Sequence, residues 1–184
     1  MNRGTAILQR GFTLVELLIV VIILAILAAI VVPQFAVSTD EAKVASLDST
    51  LVNMRGAIDL YYRQHGEYPS ANTAVPTTCG GTAGTGAANS EAAFLSQLSM
   101  YTDADGKACS IGDTTTFKYG PYLKKATLPN NPVTGSNALV VVTAGNLNLT
   151  GTGAGLGWLF DNKAGKFIAN DTNSDAASVR YDSR

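Results

Sequence analysis

The sequence predicts an α+β protein: one long N-terminal helix that continues into a globular head carrying a small antiparallel sheet. Three observations predict it. An apolar run extends from Phe12 to Val32, an apolar stripe at spacings of three and four runs from Val44 to Tyr61, and short β-branched or aromatic runs recur after residue 138. At 184 residues the chain supports one compact domain plus an accessory segment, and its 46% hydrophobic content argues against disorder. Thirteen basic residues against 14 acidic ones, for a net charge of −1, argue against a nucleic-acid partner. A single His and two Cys argue against most His-rich or Cys-rich metal sites.

The apolar run FTLVELLIVVIILAILAAIVV is interrupted only by Thr13 and Glu16. As a helix its roughly 21 residues span ~31 Å, matching a ~30 Å hydrocarbon core. Arg3 and Arg10 precede it and no acid lies before Glu16, so the first residues are expected in the cytoplasm and the bulk of the chain outside. A signal peptide or a simple anchor also combines a basic start with an apolar run. Two details resist that reading. Glu16 places a carboxylate at membrane depth, where acids are usually retained for a partner. Gly11 precedes the run, so a cut there removes the basic leader and keeps the anchor. Phe12 would then carry a mostly charged α-amino group, of reference pKa ~8, with Glu16 four residues on along the same helix face. The two charges can neutralise each other within one chain or between neighbours, and between chains the pairing fixes the offset of one helix from the next.

Arg10-Gly11-Phe12-Thr13-Leu14-Val15-Glu16-Leu17 resembles the cleavage and methylation motif of type IV pilins and type II secretion pseudopilins. The resemblance implies that a prepilin peptidase cuts between Gly11 and Phe12 and methylates the Phe12 amine. It also implies that Glu16 docks incoming subunits onto the Phe12 terminus of a neighbour in a homo-oligomeric filament. An inner-membrane assembly platform and minor pilins are the further partners it implies. The expected segments are a leader at 1–11, a membrane and filament-core helix at 12–33, the outer half of that helix at 34–66, and a periplasmic head at 67–184. The subunit is expected single-pass in a bacterial inner membrane before assembly and in a periplasmic or cell-surface filament afterwards. A minor pilin acting as adhesin or uptake receptor is the alternative, and loss of Arg3 and Arg10 with the leader makes the chain more acidic and less suited to DNA.

Pro33 predicts a bend rather than a stop, because helix-compatible residues resume at once. Val44, Leu47, Leu51, Met54, Ile58 and Tyr61 then form the stripe, with Asp40, Glu41, Lys43, Asp48, Arg55 and Asp59 interleaved. The stripe suits packing against a sheet, or a brief coiled coil. Gly66 and Pro69 end the helix at about Arg63. His65 beside Gly66 suits a helix C-terminus, where a cationic ring is favoured.

The glycine-rich stretch Thr77–Ser90 reads as an ordered surface loop, and its glycines miss both phosphate-binding patterns. Asn89 or Ser90 can cap a short helix through Tyr101 with Phe94, Leu95, Leu98 and Tyr101 facing inward. Cys79 and Cys109 bracket this excursion. Export suits a disulfide between them, closing a loop of about thirty residues for roughly 3–4 kcal/mol, and two buried thiols are the competing reading. Ala138–Thr143 reads as a strand, and Leu156–Phe160 with Lys166–Ala169 as a hairpin around Asp161–Gly165. Trp158 and Phe167 are the packing anchors against the long helix.

Gly66-Glu67-Tyr68-Pro69, then Gly120-Pro121-Tyr122-Leu123-Lys124-Lys125, Leu128-Pro129 and Asn131-Pro132, are similar to the major pseudopilin and its pilin-like relatives. So are Gly157-Trp158 and Gly165-Lys166-Phe167-Ile168-Ala169-Asn170. The insertion between about Ala71 and Phe117 is larger than in a typical major pseudopilin. The same resemblance implies calcium in a loop near the C-terminus, where Asp171, Asn173 and Asp175 offer oxygens at alternate positions. Ala176 stands where an EF-hand has glycine, so a plain polar turn explains the same residues. No catalytic residues are assigned: no elbow or triad motif accompanies His65, and no enzyme activity is expected.

Overall fold

The computed structural model describes residues 12–153 and 155–184, with seven regular elements and a closing 3-10 turn. Helix α1 spans Leu14–His65 and α2 spans Glu91–Ser99. The strands are β1 (Tyr101–Thr102), β2 (Ala108–Cys109), β3 (Leu139–Val142), β4 (Trp158–Asp161) and β5 (Lys166–Ala169), and the 3-10 turn covers Tyr181–Ser183. The chain divides into two compact units, Met1–Asp40 and Glu41–Arg184, with α1 running from one into the other.

In the first unit, Leu14–Val31 has a mean hydropathy of 3.3 and no residue buried in the chain. It is long and apolar enough to cross a membrane. Helix α1 continues through Pro33.

In the second unit, α1 buries the expected stripe: Leu47, Leu51, Met54, Ile58 and Tyr61 are all within 2% of complete burial. Gly66 ends the helix with a φ of +74°, its N–H donating to Tyr62 O at 2.8 Å. That left-handed closure favours glycine. The stripe packs on Trp158, Phe160 and Phe167 from the sheet and on Phe94 and Leu98 from α2, in one core cluster. Trp158 and Phe167 stack with centroids 5.3 Å apart, and Phe94 meets Phe160 at 5.0 Å. The Trp158 Nε1–H donates to Pro129 O at 2.9 Å, so the one polar atom of that ring is satisfied.

The α+β class stands, and the sheet order adds a finding. Strands β1 and β2 pair antiparallel, but the larger sheet, ordered β3-β4-β5, is mixed: β3 pairs parallel to β4, and β4 antiparallel to β5. The long connection 143–157 lets β3 run alongside β4 in the same direction, which a tight hairpin cannot do. The hairpin between β4 and β5 lies where it was expected. Its turn is built by the buried Asp161, whose carboxylate accepts from Lys163 N (3.0 Å), Ala164 N (3.2 Å) and, across the fold, Asn146 N (2.9 Å). Burial alone would raise the Asp161 pKa, but these amide donors hold it below the usual carboxylate value.

Ser90 caps α2, accepting from Ala93 N at 3.1 Å. The helix ends at Ser99, two residues short of the expected Tyr101. Thr102 exchanges backbone bonds with Tyr119 (2.9 and 3.2 Å), which pulls Tyr101 into extended β1 and leaves it exposed rather than inward-facing. Cys79 and Cys109 are joined in a disulfide, Cα atoms 5.8 Å apart. Around it the glycine-rich loop is laced to β2, with Gly84 N donating to Ala108 O at 2.7 Å and Thr82 N to Ser110 Oγ at 2.8 Å. His65 differs from the cation expected at a helix end. Its ring stacks on Tyr61 (4.1 Å) with Nε2 between Tyr122 Oη (3.0 Å) and Thr102 Oγ1 (3.1 Å), and burial lowers its pKa.

Two expected outcomes follow from this packing. Phe167→Ala should cost about 3–5 kcal/mol in denaturant unfolding, as for other buried aromatic truncations, while Val52→Ala on the exposed side of α1 should stay near-neutral. Because the folded-state pKa of Asp161 is depressed, its contribution is complete above the unfolded value of ~4 and disappears as pH falls through the folded value. Asp161→Asn should therefore destabilise by about 1–3 kcal/mol at neutral pH and by much less near pH 2, read from paired unfolding curves.

Candidate functional site

Two regions hold the residues singled out by sequence: the start of α1 and the C-terminal loop. Gly11 lies outside the described residues. Phe12 is 79% exposed and precedes the helix, which begins at Leu14. In the uncut chain Thr13 occupies the cap, and Glu16 sits three residues after it. Glu16 Oε2 accepts from Thr13 N and Thr13 Oγ1, each at 2.9 Å, while Glu16 N donates to Thr13 Oγ1 at 3.2 Å. These reciprocal bonds form a capping box. The signal for it, Thr-x-x-Glu ahead of an apolar run, stands in the sequence at Thr13 and Glu16. Its effect is to give the acid hydrogen-bond partners inside its own chain.

Beyond the cap, every residue from Leu14 to Val31 is exposed among the described residues. The outer half of α1 is two-sided. Opposite the buried stripe, Ala42, Ala45, Ser49, Val52, Gly56 and Leu60 are all exposed and follow one another at spacings of three and four. Val52 is 67% and Leu60 48% exposed. Sequence reading found the stripe that faces the core and missed this second one, because small residues at Ala45, Ser49 and Gly56 dilute its apolar signal.

At the C-terminal loop, Asp171 Oδ1 accepts from Asn173 N at 2.9 Å. Asp175 Oδ1 accepts from Ala177 N and Val179 N, both at 2.9 Å, and its Oδ2 pairs with the Arg184 guanidinium. Backbone donors, foremost the Val179 amide, and the Arg184 charge hold the Asp175 carboxyl below its ordinary value. Arg184 also reaches Asp48 on α1 at 3.0 Å. Of the alternate oxygens expected to converge on calcium, Asp171 Oδ1 and both Asp175 oxygens are thus engaged by the loop's own amides and by an arginine. Among the described residues no group of three or more His, Cys, Asp or Glu could hold a metal ion. The donor set fits calcium poorly, because a guanidinium already neutralises the Asp175 carboxylate.

A family model described as the prokaryotic N-terminal methylation motif matches residues 8–32. The chain is 44% identical over 66 residues, 36% of its length, to a fimbrial protein of Neisseria meningitidis. It is 40% identical over 62 residues, 34% of its length, to the type II secretion system core protein G of Klebsiella pneumoniae. It is also 41% identical over 66 residues to a type IV major pilin protein of Neisseria gonorrhoeae. These matches cover 39%, 44% and 40% of the respective relatives, so the chain spans about two fifths of the length of the curated relatives it matches. No solved structure matches. The chain carries the prepilin-type motif, and over about a third of its length it is homologous to pilins and to a secretion pseudopilin.

Addition of calcium to millimolar concentration should leave the thermal unfolding midpoint unchanged, since a ligand bound only by the folded state would raise it. A rise would show that the Asp175–Arg184 pair opens to admit the ion.

Proposed function

We propose that this chain is the structural subunit of a type IV pilus-like or type II secretion pseudopilus filament. The observation that carries the reading is the Arg10–Leu17 motif at the head of an apolar helix that is exposed among the described residues. Residues 1–11 form a leader removed by a prepilin peptidase after Gly11, and the new Phe12 amine is methylated. Residues 12–33 hold the subunit in the bacterial inner membrane with the head, 67–184, on the periplasmic side. Residues 34–66 link the two.

An uncovered helix of this length is stable in lipid, or among the equivalent helices of other subunits, and in neither place does it meet water. Transfer from one to the other exchanges lipid contacts for protein contacts at little hydrophobic cost. The exposed small-residue face of α1 beyond the membrane permits close helix approach of the same kind. Repetition of one head-to-tail contact generates an open helical polymer. Glu16 supplies the polarity: its carboxylate, paired with the Phe12 amine of a neighbour, fixes the axial offset between subunits. Subunits leave the membrane by way of an assembly platform, with minor pilins as companions, and the chain performs no catalysis of its own.

In the native host, Glu16→Ala should preserve expression, membrane insertion and cleavage but cripple filament assembly, seen by shear fractionation and electron microscopy. Terminal sequencing of the wild-type product should begin at an N-methylated Phe12. Normal filaments from the variant, or a mature terminus elsewhere, would overturn the reading.

A further inference from the structure

We propose that Asn148 is the acceptor of an N-linked glycan. Of the asparagines in this chain, only Asn148 and Asn170 stand two residues ahead of a hydroxyl side chain, in Asn148-Leu149-Thr150 and Asn170-Asp171-Thr172. Neither triplet has proline in the middle or directly after it. Such a triplet is the acceptor for N-linked glycosylation in an exported chain, where it works from a surface loop. The inference rests on the export of the head set out above.

The structure separates the two triplets. Asn170 is fully buried, and its Oδ1 accepts from Thr152 N (2.7 Å) and Thr152 Oγ1 (3.0 Å). Its Nδ2, the atom that would take the sugar, is shut away from solvent, so no enzyme reaches it in the folded head. Asn148 is the opposite case. It is exposed, at the turn 147–148 in the connection between β3 and β4, and Thr150 is exposed two residues on. Its backbone N–H donates to Asn146 Oδ1 at 2.9 Å, closing a local side-chain turn.

The backbone beside it is held to the β4–β5 hairpin, with Asn146 N donating to Asp161 Oδ2 (2.9 Å) and Lys166 Nζ to Leu147 O (2.9 Å). Among the described residues, neither the Asn148 carboxamide nor the Thr150 hydroxyl has a hydrogen-bond partner, so both stay available to an enzyme. Leu147 is 70% exposed, and a glycan on the next residue would shield that apolar side chain from water. Loops of this kind open at low cost, which lets the triplet enter an enzyme's site after the head has folded. The one co-substrate is a lipid-pyrophosphate-linked oligosaccharide. Asn148 Nδ2 bonds to the sugar C1 as the bond from C1 to the pyrophosphate oxygen breaks. The lipid pyrophosphate leaves with that electron pair, and Nδ2 gives up one proton.

The test is intact-mass and peptide mass spectrometry of the full chain purified from its native host. A glycan mass is expected on the peptide that contains Asn148, with Asn170 unmodified. Asn148→Gln and Thr150→Ala should each remove the glycan mass, Thr150→Ser should keep it, and the unfolding midpoint should not move with any of them, because both side chains are exposed. A glycan that survives Asn148→Gln, as one attached to the Thr150 hydroxyl would, overturns the proposal, and so does an unmodified Asn148. In the latter case the terminus read in the same spectrum tells the two failures apart: a mature chain beginning at Phe12 leaves the filament reading standing, and any other terminus removes both.

Discussion

The head is organised by one requirement: the stripe Leu47, Leu51, Met54, Ile58 and Tyr61 must be covered. A helix cannot cover its own apolar face, and each of these side chains gains about 1.5–3 kcal/mol on leaving water. The cover comes from two directions, Phe94 and Leu98 on α2 and Trp158, Phe160 and Phe167 on the sheet. That arrangement constrains what lies further out. Phe160 and Phe167 are direct partners in the β4–β5 register, so a slip by one residue would turn an aromatic ring away from the core. The Asp161 carboxylate, gripping Lys163 N and Ala164 N in the turn, fixes the register where a slip would begin. Trp158 in turn holds the chain at Pro129 through its indole N–H.

Away from the core, irregular chain is held by polar links. Arg55 on α1 donates to Phe167 O at 3.0 Å, and Arg184 spans Asp48 and Asp175, so the last residues are tied to the helix. The disulfide and the bonds from Gly84 and Thr82 do the same for the glycine-rich loop. Glycine-rich backbone loses much entropy on ordering, so a loop of this composition needs several fixed points.

The features legible in the sequence were those set by local periodicity or by a single residue's chemistry. The helix stripe, its glycine stop, the Ser90 cap, the β4–β5 hairpin and the Cys79–Cys109 link all belong to this class. The parallel pairing of β3 with β4 was not legible, since strand runs are the same in either direction and only the long 143–157 connection decides between them. Strands β1 and β2 escaped notice because two-residue strands have no period. Tyr101 was drawn into β1 by Thr102–Tyr119 pairing, a contact 17 residues away in sequence that outweighs the helical pattern. At the C-terminal loop, alternate oxygens suggested a cation because the arginine that neutralises Asp175 comes nine residues later.

On the filament reading, the start of α1 must tolerate an acid at membrane depth before a partner arrives. An unpaired carboxylate there costs about 3 kcal/mol, and on the same reading Phe12 has no free amine to meet it before cleavage. The capping box supplies donors from Thr13 instead, and both of its bonds to the carboxylate end on the same oxygen, Oε2. Anchoring one oxygen restricts the side chain to one arrangement while the second keeps lone pairs for another donor. On the filament reading, cleavage adds a cation near a carboxylate that is already oriented, so docking loses less side-chain freedom than it would with an unrestrained glutamate. On that reading Thr13 acts in assembly through Glu16, by fixing where the acid points before a neighbour arrives.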